Sequence, residues 1–366
     1  TVSLQVTVAA DAPPGRRELR LQTEHGLTNP LAFCVGQLPE ITEKSGRVAA
    51  VEASQKRGGR GRRRQSSARP DPGTTPTSTE PEIETDVTLP ATLNGQILPG
   101  DVDRYRFEAR KGQHLVVDVS ARKLIPYLSD AVPGWFQATV ALLDTNDQEV
   151  VFDDDFRFHP DPVLHCEIPK DGAYVIEIRD SLYRGREDFV YRIALGELPY
   201  VTDVFPLGCQ AGQLTTFSLN GWNLLQTEFT REFPESITQV ITDGKGGVVS
   251  NSIPLSVDTQ PDCLELEPNN HADEAQRVSL PTIINGRIDR PGDVDVFCVE
   301  CRGLYEIVAE VHARRLNSPL DSVIKLTRAD GKQLAVNDDY EDKAAGLTTH
   351  HADSRLSAKI PKTGCY

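Results

Sequence analysis

The 366-residue chain has no methionine, and aromatic residues make up only 6% of it. With 27 glycines and 25 prolines, this composition excludes a helical core and suits many short strands joined by turns. No apolar run approaches the roughly 20 residues a helix needs to span a bilayer, so no transmembrane segment is expected. Enzyme signatures are also missing: there is no GxSxG elbow, no HExxH, no Walker loop and no GxGxxG before a helix. No catalytic residues are therefore assigned, and the chain is expected not to be an enzyme. The chain opens on a strand-like run, TVSLQVTV, without a methionine, so it is expected to begin inside a longer protein.

The seven cysteines make no metal site. Cys298 and Cys301 have CxxC spacing but lie in a strand-like segment that points them to opposite faces, with no second pair or nearby histidine to complete a tetrahedron. They are expected to be buried small hydrophobes, with one or two bridges in an oxidising compartment.

What the sequence does contain is an internal repeat. LPTIINGRIDRPGDVDVFCVE, from Leu280, restates LPATLNGQILPGDVDRYRFEA, from Leu89. Matches continue through VAEVHARRL and VVDVSARKL, then LAVNDDY and VVFDDDF, and end with IPKTGCY and IPKDGAY. A repeat of this kind is the mark of an array of modules. Apolar residues alternate with period two, as in Leu115, Val117 and Val119, in Tyr305, Ile307, Ala309 and Val311, and in Phe189, Tyr191, Ile193 and Leu195. That pattern predicts half-buried antiparallel strands. Asn146 and Asp147 answer Asp330 and Gly331 as tight hairpin turns. Only SLPTIING, ADEAQRV and Tyr127 to Phe136 leave room for a helical turn. The second copy stops at Tyr366, before counterparts of VIEIRD and FVYRIAL, and is expected to be cut short.

The net charge of -15 is unevenly spread: Lys44 to Pro70 holds nine Lys or Arg against one acid, leaving 30 bases and 53 acids elsewhere. The basic stretch and the PDPGTTPTSTEPE that follows hold almost no large apolar residue, which predicts a disordered linker. RGGRGRRR has no interleaved aromatic and is flanked by acidic modules, so nucleic acid is not an expected partner.

With these residues in view, both repeats resemble the bacterial pre-peptidase C-terminal domain, through LEPNN, NGRI, GDVDVF, the NDD run and IPKTGCY in one and NGQI, GDVDRY, the DDD run and IPKDGAY in the other. YVTDVFPLGCQAG and LNGWNL resemble a TIG-type immunoglobulin-like domain. LTNPLAFCV matches VSNSIPLSV, with Val35 answering Val257, and marks a partial twin at the start. The expected fold is all-β: tandem antiparallel β-sandwich modules, jelly-roll-like and immunoglobulin-like, joined by a disordered linker. The expected order is a partial immunoglobulin-like module over 1–43, a linker over 44–80, a sandwich over 81–198, an immunoglobulin-like domain over 199–262 and a truncated sandwich over 263–366.

Glu265 and Glu267 are two apart in an extended segment and share a face with Asn269, and Asp293 and Asp295 stand in the same relation. Oxygen ligands in that number suit calcium. The resemblance points the same way, since collagenase relatives bind calcium through an acidic leading segment and an aspartate before the first core strand; it reaches Glu265, Glu267, Asn269 and Asp295, and Asp293 less directly. Aligned through Glu80 and Pro81, the first copy has Ser78 for the first glutamate and Glu82 for the asparagine, so no full site is expected beside Asp101 and Asp103. Asp153 to Asp155 with Asp161, and Asp338, Asp339 and Asp353, are expected to be polar loop residues, as are His350 and His351. These readings imply a non-catalytic binding or scaffold protein that is secreted, periplasmic or on the cell surface, with an extracellular protein or polysaccharide as partner. The alternative is an accessory region of a secreted peptidase or other hydrolase.

Overall fold

The computed structural model describes residues 4–44, 84–125, 135–234, 239–240, 242, 244–341 and 352–366. The linker expected over 44–80 lies outside them apart from Lys44, as do most of the Tyr127 to Phe136 insertion and the pair His350 and His351. Among the described residues regular structure is all strand, apart from 3-10 turns at Lys245–Gly247 and Arg314–Leu316. The chain divides into two compact units, Thr1–Glu197 and Leu198–Tyr366.

The first unit is built on a sandwich of two five-stranded sheets. One runs Glu149–Asp153, Ala138–Asp144, Gly172–Asp180, Asp103–Ala109, Glu84–Asp86; the other runs Val163–Glu167, His114–Ser120, Val190–Gly196, Ala91–Gln96, Glu40–Thr42. One core cluster joins them, with Tyr105, Phe107, Val140 and Ile176 from the first sheet and Leu93, Leu115, Val117 and Ile193 from the second. The alternation dictates this: in Asp103–Ala109 the tyrosine, phenylalanine and alanine are buried while Arg106 and Glu108 are exposed. Each such burial stabilises by about 1.5–3 kcal/mol for a large side chain.

Both sheets end in a parallel edge strand, Glu40–Thr42 beside Ala91–Gln96 and Glu84–Asp86 beside Asp103–Ala109. The strand Glu40–Thr42 therefore differs from expectation. The expected module over 1–43 would include it, yet it belongs to the sandwich because Ile41 packs on the sandwich core and Pro39 accepts a hydrogen bond from the Thr92 amide at 2.8 Å. The preceding strands Gly15–Leu19 and Leu31–Val35 pair only with each other among the described residues.

In the second unit, residues 200–258 close around Val201, Val204, Phe217, Leu219, Phe233, Ile253 and Leu255. The strands that follow repeat the pairing of the first unit: Asp262–Leu264 runs parallel to Ile283–Asn285, and Gln276–Val278 parallel to Phe297–Cys301. SLPTIING contributes the strand Ile283–Asn285, and ADEAQRV a turn in which the Glu274 amide donates to the His271 carbonyl at 2.9 Å, followed by the strand Gln276–Val278; the 3-10 turns fall elsewhere. The two hairpins match in detail. Asp147 and Gly331 both take positive φ (56° and 81°), and a register shift falls at Leu142/Leu143 in one and at Leu326/Thr327 in the other. Cys298 bonds to Cys365, whereas Cys34, Cys166, Cys209, Cys263 and Cys301 are free.

Candidate metal centre

The leading segment of the second repeat is pinned by its own side chains. Gln276 accepts from the Leu266 amide at 2.8 Å and donates to the Leu264 carbonyl at 3.0 Å, holding the chain extended. Asn269 is buried, and its carbonyl accepts from the Val296 amide at 2.9 Å, so the segment lies against the start of Phe297–Cys301. Asn270 reinforces the contact by accepting from Val294 at 3.2 Å. On the other side, the turn through Pro291 and Gly292 (φ 88°) aims Asp293 back, where its carboxylate accepts from the Asp289 amide at 2.8 Å.

Glu267, Asp293 and Asp295 thereby each offer a carboxylate oxygen, and these oxygens lie within 4.8 Å of one another. Among the described residues this is the one such group of three. Glu265 adjoins it: one oxygen accepts from the Arg287 amide at 2.6 Å and its carboxyl touches that of Asp295. Glu265 Oε2, Asp295 Oδ1 and both polar side-chain atoms of Asn269 are buried without a protein hydrogen-bond partner. An unpaired buried polar atom costs about 1–3 kcal/mol, so this donor set fits a ligand that would satisfy it. Its carboxylate and amide oxygens are the ligands a hard cation takes, whereas Asn269 Nδ2 can only donate and would not join them. Of the five residues singled out in the sequence, the four acids lie together, and Asn269 joins them through the backbone contact of its carbonyl with Val296. Sequence reading missed Gln276 and Asn270, which shape the segment, and Gly286, where a Cβ would come within 2.6 Å of Glu265 Oε2.

The electrostatics agree. Burial pushes Glu265 up to about 7, against the pull of the Arg287 amide, with the Asp295 charge adding to the rise. Asp295 is also raised, first by burial and then by Asp293, Glu267 and Asp289, with its contact to Glu265 opposing. Crowded carboxylates of this kind are relieved by a proton or by a cation.

No family model matches the chain. A probable subtilase-type serine protease of Deinococcus radiodurans is 32% identical over 135 residues, covering 34% of this chain, and the chain spans 17% of that relative's length. Among solved structures, the pre-peptidase C-terminal domain of a Bacillus anthracis collagenase is similar at TM-score 0.23 and 16% identity, covering 32% of this chain and 97% of that one. The periplasmic lysozyme inhibitor PliG of Aeromonas hydrophila gives TM-score 0.21 at 14% identity, covering 31% and 95%.

In the first repeat the place of Glu265 is taken by Glu43, a correction to the alignment through Glu80 and Pro81, whose Ser78 and Glu82 lie outside the described residues. The Glu43 amide donates to the Asn94 carbonyl at 3.0 Å, as Glu265 does to Asn285 at 3.0 Å. The Glu43 carboxylate accepts from the Gln96 amide at 3.1 Å, as Glu265 accepts from Arg287. Of the remaining acids, Asp161 and Asp353 lie in loops and Asp153 ends the strand Glu149–Asp153. Asp161 accepts from the Arg122 and Lys123 amides, and Asp353 from the Ala313, Arg314 and Arg315 amides and the Arg315 side chain. Asp154 and Asp155 are exposed, and Asp153 is pushed up to about 6 by burial and by those two neighbours.

Proposed function

We propose that this chain is a non-catalytic, extracytoplasmic array of β-sandwich modules that presents binding surfaces to an extracellular protein or polysaccharide, stabilised by one calcium ion in its second repeat. The observation that carries it is the convergence of Glu267, Asp293 and Asp295 beside Glu265 and an unpartnered, buried Asn269. Calcium takes about six to eight oxygens in a flexible shell, and these residues supply most of them. The ion would bridge the leading segment to the strand that begins after Asp295, which fixes the sheet edge. A Cys298–Cys365 bridge suits an oxidising compartment. Among the described residues no helix is long and apolar enough to cross a membrane.

A second reading is an accessory region beside the catalytic unit of a secreted peptidase; what favours it is the similarity to a probable subtilase-type protease. Both readings share the calcium site. Calorimetric titration of the full chain with calcium tests it: heat of binding is expected, and Glu267→Ala should weaken affinity by about tenfold or more, the equivalent of about 1.4 kcal/mol. An unchanged affinity in that variant places the ion elsewhere.

A further inference from the structure

The first repeat builds the same cradle with different contents. Glu43 follows the strand Glu40–Thr42 as Glu265 follows Asp262–Leu264, and Asp103 opens the strand Asp103–Ala109 as Asp295 precedes Phe297–Cys301. The carboxyls of Glu43 and Asp103 adjoin each other around the Tyr191 hydroxyl, which lies 2.6 Å from Asp103 Oδ2 and faces Gly95 together with Glu43 Oε2. Two adjacent carboxylates repel when both are ionised, and a single proton held between them relieves that repulsion. Where the second repeat adds further acids, this one adds phenols. Tyr191, 1% exposed, donates to Asp103 Oδ2 at 2.6 Å, and its hydroxyl oxygen lies 2.7 Å from that of Tyr105, 0% exposed. With the Tyr191 proton committed to Asp103, Tyr105 must be the donor to Tyr191, so each hydroxyl proton in the chain is assigned. The glycine of the NG motif makes the room: a Cβ on Gly95 would fall 2.2 Å from the Tyr191 hydroxyl and 2.7 Å from Glu43 Oε2.

We propose that Glu43 and Asp103 share a single proton, which fastens the strand Glu40–Thr42 to the first sandwich in place of a cation and is released as the pH rises. This stands whether or not the second repeat takes calcium. The groups facing the pair are few. The turn before the strand contributes Asp101, whose carboxylate accepts from the Leu98 amide at 3.2 Å. The strands behind contribute Tyr105 and Tyr191, and Ala91–Gln96 contributes the uncharged Gln96 amide. Lys44, next in sequence, turns its ammonium to the Glu84 carbonyl at 3.3 Å instead. Burial first, then the adjoining Glu43 carboxyl, push Asp103 up to about 8, against the opposing Tyr191 hydroxyl; the charges of Glu43 and Asp101 add to the rise. A proton held in the native state and lost from the unfolded chain stabilises the fold at low pH, and that contribution is gone once the pH has passed the folded value. Above it, two adjacent anions would repel and loosen the strand.

The test is carboxyl carbon NMR on the full chain labelled at aspartate and glutamate, with Asp103→Asn and Glu43→Gln assigning the signals. The Asp103 carboxyl is expected to remain protonated at pH 6 and to titrate near pH 8. Glu43→Gln should lower that midpoint by about one unit or more, because the amide donates to the ionised form, and Tyr191→Phe should raise it. A merely structural role would move neither. Calcium is expected to leave the midpoint unchanged. Titration of Asp103 in the ordinary carboxylate range, or a midpoint displaced by calcium, overturns the proposal.

Discussion

Gly286 is a small residue because two carboxyls lie across it. Its backbone does not need a positive φ; what it needs is space, since a Cβ would sit 2.6 Å from Glu265 Oε2 and 3.4 Å from Asp295 Oδ2. Gly286→Ala must push the Glu265 carboxyl away from Asp295, and calcium affinity measured by calorimetry is expected to fall by about tenfold or more, or about 1.4 kcal/mol. Retention of full affinity would mean that Glu265 is not a ligand. The NG pair was visible in the sequence as a repeated motif, but its reason was not, because the neighbours of a glycine across a sheet are set by pairing register.

At the scale of elements, a single buried aspartate holds the matching corner of each repeat. Asp353, fully buried, gathers three backbone amides of the turn Arg314–Leu316 and the Arg315 side chain, and Asp161 does the same for Arg122 and Lys123. Asp353→Ala leaves those donors unsatisfied and should cost about 2–3 kcal/mol, read as a lower denaturation midpoint. Burial alone would raise the pKa of Asp353, but the Arg315 and amide hydrogen bonds outweigh it and hold the carboxyl below its usual value. Its contribution is therefore present above the unfolded-state pKa of about 4 and is lost as the pH falls through the lower folded value. A variant whose stability deficit persisted unchanged in strong acid would contradict that sign. The strands themselves were legible: the alternation of Leu115, Val117 and Val119 and the hairpins at Asp147 and Gly331 emerge as read. The leading strand of the first sandwich was not. Carrying the match of Val35 with Val257 eight residues further, without a gap, sets Glu43 opposite Glu265. The nearer Glu80 and Pro81 mask that match in the sequence, because residues 45–83 separate the leading strand from Glu84–Asp86 and split the motif. That the cradle there holds phenols was illegible too, since Tyr191 reaches it from a strand almost ninety positions beyond Asp103.

The whole molecule is all-β, and its two units have different fastenings. The bond between Cys298 and Cys365 closes a span of 67 residues in the second repeat. On a loop-entropy basis such a link is worth about 4 kcal/mol. Reductant, or Cys365→Ala, is expected to lower the melting transition of the second unit and leave that of the first in place, as read by calorimetry; a shift of the first unit alone would contradict this assignment.

If one of the two matching cradles takes a cation and the other a proton, isothermal calorimetry of the full chain with calcium, at pH 8 and at pH 5, will show it. One ion per chain is expected, with weaker binding at pH 5, because Glu265, raised to about 7, must give up its proton before it can serve as a ligand. Glu267→Ala should remove that binding, whereas Asp103→Asn should leave it intact. Two ions per chain, or a single ion abolished by Asp103→Asn and untouched by Glu267→Ala, would contradict the account.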